Sequence, residues 1–317
     1  MAKQENRSVV VIALAGNGLI AASKFFAAAF TGSSAMLSEA VHSAADTANE
    51  LLMLYGLARA QRPPTVAHPF GQGREVYFWS FIVALLIFLV GAGVSFYDGI
   101  AHWLNPRPVS HLLANYVVLA LSCVFEGISW SVAVRRIRRT KGRAGYFEAM
   151  RRSKDPTVFT VLIEDSAALI GLLLAFAGIT LAAVTGKPQF DAVASLLIGV
   201  LLCATSYFLA RETKALLIGE PAHAHVQSSI LRIAAADPAI ARANGIVTAQ
   251  LGPDHVLAAL SAEFEDDLST GQIEACVGRL ETAVKAAHPE VVALFLKPQA
   301  HSVWSARRAT LAAASTA

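Results

Sequence analysis

Charge is scarce in this chain. Asp, Glu, Lys and Arg make up 15% of its 317 residues, hydrophobic residues make up 55%, and the mean hydropathy is +0.51. A soluble globule carries roughly 25% charged residues, so the chain as a whole does not read as one. Cysteine is also scarce. Cys123, Cys203 and Cys276 are the only three, and they lack the paired spacing of a thiolate metal cage. That excludes a disulfide framework and leaves them as packing residues, two of them inside apolar runs. A cleavable leader is missing from the expectation too. The first apolar run, 9–30, is too long for the core of a signal peptide, and no small-residue cleavage motif follows it.

Long apolar runs, by contrast, are plentiful. Six segments, near 9–31, 35–60, 77–100, 110–134, 156–184 and 190–209, are each long enough to cross about 30 Å of hydrocarbon. The second and fifth read as the weakest by hydropathy, because they carry polar residues. The net charge of +3 matters less than where the basic residues fall. Lys3, Arg7, Arg59, Arg62, Arg74 and a run from Arg135 through Arg136, Arg138, Arg139, Lys141, Arg143, Arg151 and Arg152 to Lys154 lie in one set of connections, and Arg107 and Lys187 alone in the other. Basic residues concentrate on the cytoplasmic side, so both termini are expected there. The basic run fits contact with anionic lipid and is not read as a nucleic-acid site. With no transit-like leader in view, a bacterial inner membrane is the expected location.

After residue 211 the pattern changes. Residues 224–236 read as an amphipathic helix that ends at Asp237-Pro238. Residues 245–251 and the alternation Val256, Ala258, Leu260, Ala262, Phe264 read as strands, 269–288 as a helix and 291–296 as a short strand. The order α-β-β-α-β suits a small two-layer α+β domain. The chain thus divides into a membrane part over 1–211, a soluble part over 212–300, and a tail over 301–317 expected to be unstructured.

His42 and Asp46 stand four residues apart inside the second apolar segment. That spacing puts imidazole and carboxylate on one helix face. An ionisable group in hydrocarbon costs on the order of 2.5–3.5 kcal/mol or more and marks a functional site by default. The fifth segment carries Glu164 and Asp165. Helix rise puts Asp46 roughly 17 Å in from one face and Asp165 roughly 14 Å in from the other. Opposed segments thus bring both carboxylates near the midplane, where an alternating-access carrier holds its cargo. The structural alternative is that these residues only pair with Lys24 or with Ser and Asn groups to hold helices together.

Histidine with carboxylates suits Zn²⁺, with Mn²⁺, Fe²⁺ or Co²⁺ as alternatives, whereas Mg²⁺ uses oxygen ligands. A tetrahedral site needs a fourth ligand. Glu164 lies about 100° round the helix from Asp165, so both face inward only if that helix is rotated between two neighbours. Glu164 is a candidate ligand, proton carrier or ion-pair partner. Glu126, Asn49 and Glu50 are further candidates, Glu39 is read as lining the outer entrance, and Asn17 as an interhelical hydrogen bond. Metal binding displaces protons from such ligands, and imidazole titrates near working pH. Exchange of a divalent cation for protons, with export from the cytoplasm, is therefore the expected activity. No prosthetic group and no enzymatic nucleophile motif are read from the sequence. A membrane metalloenzyme and a non-transporting metal sensor or scaffold are the competing readings.

The segments Thr31-Gly32-Ser33, Ser38–Asp46, His68–Glu75, Asp155–Gly171 and Asp191–Gly199 together resemble the cation diffusion facilitator family over roughly residues 8–300. The resemblance implies six transmembrane helices, a cytoplasmic ferredoxin-like domain, a homodimer and divalent-metal/proton exchange. It also implies a metal-binding pair at His42 and Asp46, in a form similar to zinc-selective members, and a second pair at positions 161 and 165. Val161 departs from that pattern and cannot ligate. Glu164 next to Asp165 resembles a subgroup that includes a mitochondrial zinc exporter. In the connector, His68 matches a peripheral metal position, but Thr65 and Gln72 stand where its fellow ligands belong, so that site reads as weak or lost. His223, His225, His255 and His288 read as solvated surface residues with no clear ligand match.

Overall fold

The computed structural model describes residues 2–140, 145 and 154–314. Of the basic run, Lys141, Arg143, Arg151 and Arg152 lie outside the described residues. The chain separates into two compact units, residues 1–58 with 76–214, and residues 59–75 with 215–317.

The first unit is helical. Its helices are α1 (Ala2–Thr31), α2 (Ser34–Ala60), α3 (Glu75–Leu104), α4 (Leu112–Thr140), α5 (Pro156–Thr185) and α6 (Gln189–Ile218). They fall where the apolar segments do. Gly32 separates α1 from α2 at φ 71°, a left-handed conformation that glycine adopts without a Cβ penalty. Asp155 caps α5, accepting from the Thr157 amide at 3.0 Å, with Pro156 in the first turn, and Gly186 closes the helix at φ 67°. α3 carries a π-helical stretch over Ile87–Ala92.

Among the described residues, four helices are long and apolar enough to cross a membrane: Glu75–Leu104, Leu112–Arg135, Phe159–Thr185 and Gln189–Ile218. The fifth segment, expected to be weak, is the most apolar of the four. Its polar residues gather in the first turns and leave a long hydrophobic remainder. α2 falls short because Glu39, His42, Asp46 and Glu50 interrupt it. The helices pack through small buried side chains, among them Ala28, Ala35, Ala40, Ala168, Ala175 and Ala192. Without a hydrophobic drive in lipid, such close backbone approach is what holds helices together. Large apolar residues such as Phe26, Leu89 and Leu173 face outward.

The second unit has the expected order: α7 (Ala224–Ala235), β1 (Ile240–Gly252), β2 (His255–Phe264), α8 (Thr270–Ala287) and β3 (Val291–Pro298). The sheet order is β1-β2-β3. β1 and β2 form an antiparallel pair joined by the turn at Pro253-Asp254, and β3 returns parallel to β2 after α8. Val226, Ile230 and Ala234 of α7 and Cys276, Leu280 and Val284 of α8 share one core with Val256, Ala258 and Leu260 of the sheet. Ser269 and Gln272 form a reciprocal capping box at the start of α8. Gly73 of the connector lies against the backbone of Leu251 and Gly252, and Phe70 meets Phe295 edge-on at 6.2 Å.

Over 301–317, where an unstructured tail was expected, the structure describes a helix, α9 (His301–Ala314). Alanine is the best helix former. Trp304 lies against Gly245, where a Cβ would collide with its ring, and His301 Nδ1 lies 3.1 Å from Asn244 Oδ1. Those contacts with β1 were not legible in a stretch of small and polar residues.

Asp237, after α7, receives two hydrogen bonds from Arg279 of α8, at 3.0 and 2.9 Å, and one from the Ala239 amide at 3.0 Å. The guanidinium foremost, and the amide with it, hold the Asp237 carboxyl below its ordinary 3.8 against the opposing effect of burial. A carboxyl depressed in the folded state stabilises the fold above its unfolded value, and that contribution is lost as pH falls through the folded value. Acidifying the full chain below about pH 4 should therefore speed hydrogen exchange in α7 and β1, and Arg279→Gln should flatten that acid-side dependence. An unchanged profile in the variant would show that the pair contributes nothing.

Candidate metal centre

α2 holds the centre of the polar arrangement. His42 is 1% exposed, and its Nδ1 lies 3.5 Å from Asp46 Oδ1, the i, i+4 neighbour. Neither ring nitrogen of His42 has a hydrogen-bond partner among the described residues, and neither does Asp46 Oδ1. Buried polar atoms are normally satisfied, so orphans of this kind call for a physical account.

Asp46 opens onto a cavity of about 550 Å³ within the first unit. The same cavity is lined by Glu50 of α2, Glu126 and Ser129 of α4, and Glu164 and Asp165 of α5. Asp165 Oδ2 accepts from Ser129 Oγ at 2.8 Å. Glu164 Oε1 accepts from Asn49 Nδ2 at 2.9 Å. Glu50 Oε1 accepts from Asn17 Nδ2 of α1 at 2.6 Å, the interhelical bond expected of Asn17. Both adjacent acids of α5 thus reach the cavity wall, as the rotated-helix condition required. Val161 lines the cavity as well, at the position the resemblance implies for a ligand.

The cavity gathers donors without closing them round a point. Among the described residues no group of three or more His, Cys, Asp or Glu side chains stands close enough to hold a metal ion. His42 is outside the cavity lining and touches it through Asp46.

Glu39 differs from its expected place at an entrance. It is 0% exposed and paired with Lys24 of α1, whose Nζ lies 3.1 Å from Glu39 Oε2 and donates to Ser43 Oγ at 2.6 Å. A carboxylate in apolar surroundings takes a cation where one is in reach, and Lys24 supplies it. Two contributors escaped the sequence reading. Ser129 stands three residues after Glu126, on the same helix face, which is the signal that would have found it. Ser43 shows no such signal, since serine is common in transmembrane helices.

Further out, Asp191 of α6 accepts from Ser33 Oγ at 2.7 Å and from the Ser34 amide at 2.6 Å, holding the start of α2. An anion at a helix N-terminus meets the unsatisfied amides there.

The histidines of the second unit do not converge. His223 and His225 stack with ring centres 5.5 Å apart on the surface. His288, expected to be solvated, has a side chain only 12% exposed, and its Nδ1 lies 3.2 Å from Glu290 Oε1. His68 lies exposed in the connector, where its backbone bonds with that of Thr65 in both directions.

Residues 10–218 match the family model of the cation efflux transmembrane domain. The proton-coupled zinc antiporter SLC30A9, mitochondrial, of Xenopus laevis is 35% identical over 264 residues, 83% of this chain and 47% of the relative. Metal tolerance protein C4 of Arabidopsis thaliana is 32% identical over 231 residues, 72% of this chain and 50% of the relative. The manganese efflux system protein MneP of Bacillus subtilis is 26% identical over 176 residues, 56% of this chain and 57% of the relative. The chain spans about half the length of these relatives. The first and third are named for metal transport, and none of the three is named as an enzyme. A match across two thirds of the chain, over the helices that carry His42, Asp46 and Asp165, shows that this protein belongs to the cation diffusion facilitator family, on the side of the mitochondrial zinc exporters.

Proposed function

We propose that this protein is a secondary transporter that moves divalent cations, foremost Zn²⁺, out of the cytoplasm in exchange for protons. The observation that carries the proposal is the set of orphaned atoms at His42 and Asp46, beside a cavity shared with Glu164 and Asp165 from a second helix. A cation, or the protons that replace it, gives those atoms the partner they lack. The names of the similar zinc antiporters and manganese efflux protein support the substrate class.

In this reading α1 to α6 all cross the membrane, with both termini cytoplasmic and residues 1–211 as the membrane domain. Residues 212–300 form a cytoplasmic ferredoxin-like domain, and the working unit is a homodimer. The protein is integral to the membrane. The mitochondrial names of several relatives count against the bacterial inner membrane expected from the sequence, while the bacterial relative supports it.

The cargo ion is held by His42, Asp46 and Asp165. Glu164 serves as fourth ligand in place of Val161, and Asn49 orients it. Closing these groups round one ion requires α2 and α5 to draw together, because they stand apart across the cavity. Such closure is the change that alternates access. Imidazole with three carboxylates suits a borderline cation. Each ligand takes up protons when the ion leaves, which couples flux to the pH gradient.

Zn²⁺ uptake into sealed vesicles carrying a pH gradient tests the assignment. Asp46→Ala and Asp165→Ala should each lower flux by roughly 10–100-fold or more, and flux at the wild-type level in both would remove the site. Retained zinc binding with no flux in the unaltered protein would favour a sensor. His42→Asp makes the donor set all oxygen, and oxygen ligands favour harder ions. Competition assays should then show broader admission of Mn²⁺, and an unchanged ion preference would remove His42 from selection. Glu164→Gln keeps the shape and the bond to Asn49 but loses the charge. It should reduce transport and flatten its pH dependence, whereas a wild-type pH profile would make Glu164 a structural group.

A further inference from the structure

The cavity has a closed end. Along α2 its lining runs from Ser43 to Leu57, and it continues to Asp155 and Thr157 at the start of α5. No residue of α2 before Ser43 lines it. The opposite stretch is packed solid, since every residue from Ser33 to Ser43 except Leu37 is buried. The cavity therefore extends toward the membrane face that the C-terminus of α2 and the N-terminus of α5 share, and stops one helical turn beyond Asp46.

Lys24 stands at that stop. Its ammonium bonds to Glu39 Oε2 and to Ser43 Oγ, so it joins a fully buried carboxylate to a hydroxyl of the cavity wall. Glu39 Oε1 has no hydrogen-bond partner among the described residues. It occupies the space at Gly171 of α5 where any Cβ would stand. One ion pair thus locks α1, α2 and α5 together directly beyond the site. None of the proposed ligands needs it.

We propose that Lys24 and Glu39 form the gate on the far side of the centre. Their contact seals the cavity from the membrane face opposite the termini, and their separation opens it to that face. The gate rests on the orientation and alternating access proposed above. Its physical basis is the dependence of an ion pair on its surroundings. The attraction is strong where water is excluded and falls steeply as the effective dielectric rises. A dry pair therefore holds firmly, and water that reaches it loosens it, which gives the closed and open arrangements a sharp boundary. The flexible stem of lysine lets its point charge withdraw, and Ser43 gives the ammonium a second acceptor on the cavity side. Beyond the pair, α2 and α6 meet through hydroxyls, Ser38 Oγ to Ser195 Oγ at 2.6 Å, with no further ion pair among the described residues.

Removing one partner would strand a buried charge, whereas removing both leaves the net charge unchanged. The test therefore uses the full chain with Lys24→Ala and Glu39→Ala together. Ile20 lines the cavity one turn before Lys24 on α1, and Ile20→Cys, with Cys123, Cys203 and Cys276 replaced by Ala, serves as reporter. The protein is placed in sealed vesicles of one orientation and exposed on each side to a membrane-impermeant thiol reagent. With the pair intact, labelling should come from the side that carries the termini. With both charges removed, labelling from the opposite side should rise on the order of tenfold, the scale on which a minor conformation becomes a major one. Gly171→Ala alters no charge but pushes on Glu39 Oε1. It should raise the same labelling to a smaller degree and serves if the double variant does not fold. Unchanged labelling from the opposite side in a folded variant overturns the gate. If the reporter in the intact protein is labelled mainly from the side opposite the termini, the proposed orientation fails instead, and the gate falls with it.

Discussion

One constraint runs through the helical unit: an ionisable group among apolar helices is costly unless it is compensated where it stands. Lys24 and Glu39 compensate each other. Glu50 takes an amide hydrogen from Asn17, Glu164 one from Asn49, and Asp165 a hydroxyl from Ser129. Asp191 takes the Ser33 hydroxyl and the amide that opens α2. Hydrogen bonds do not reach every atom: Glu39 Oε1, Asn49 Oδ1, Asn115 Nδ2 and Thr160 Oγ1 lack one among the described residues, and at His42 and Asp46 both ring nitrogens and a carboxylate oxygen lack one side by side. That concentration of open atoms on one face of α2 is what the proposed cation site rests on.

The same constraint explains why α2, which is not among the helices apolar enough to cross a membrane, is buried through its first turns. Its N-terminal third is tied to α1, α3, α5 and α6 through Lys24, Ser34 with Asp98, Gly171, and Ser38 with Ser195. Its C-terminal part borders open space. Packing at one end and room at the other are what the proposed closure of α2 on α5 requires. The second unit obeys different rules. It has an amphipathic helix, a capped helix and a three-stranded sheet round one apolar core, with the connector 59–75 brought against β1 by the close approach of Gly73.

The packing of α2 accounts for Asp191 and for the glycine at 171, which the composition alone left unexplained. Asp191 receives the start of α2, and Gly171 leaves space for Glu39. Membership of the cation diffusion facilitator family sharpens the departure at Val161. That side chain stands in the cavity wall where a ligand is implied, while Glu164, three residues later on α5, reaches the same wall with an acceptor.

Local chemistry determined much of this protein. The helix positions followed from the lengths of apolar runs, the start of α5 from Asp155-Pro156, and the α-β-β-α-β order from hydrophobic periods of 3.6 and 2. The shared helix face of His42 and Asp46 followed from their spacing alone, since a helix repeats nearly every four residues. What only the tertiary structure decided are the pairings between segments far apart in sequence. Sequence periodicity says which way a side chain points within its own helix and is silent on how that helix is rotated against its neighbours. The choice of Glu39 as partner for Lys24, of Ser129 for Asp165 and of Asn49 for Glu164 depends on that rotation. So does the end of the cavity at Ser43, and so does the docking of Trp304 beside Gly245 that makes a helix of a stretch read as an unstructured tail.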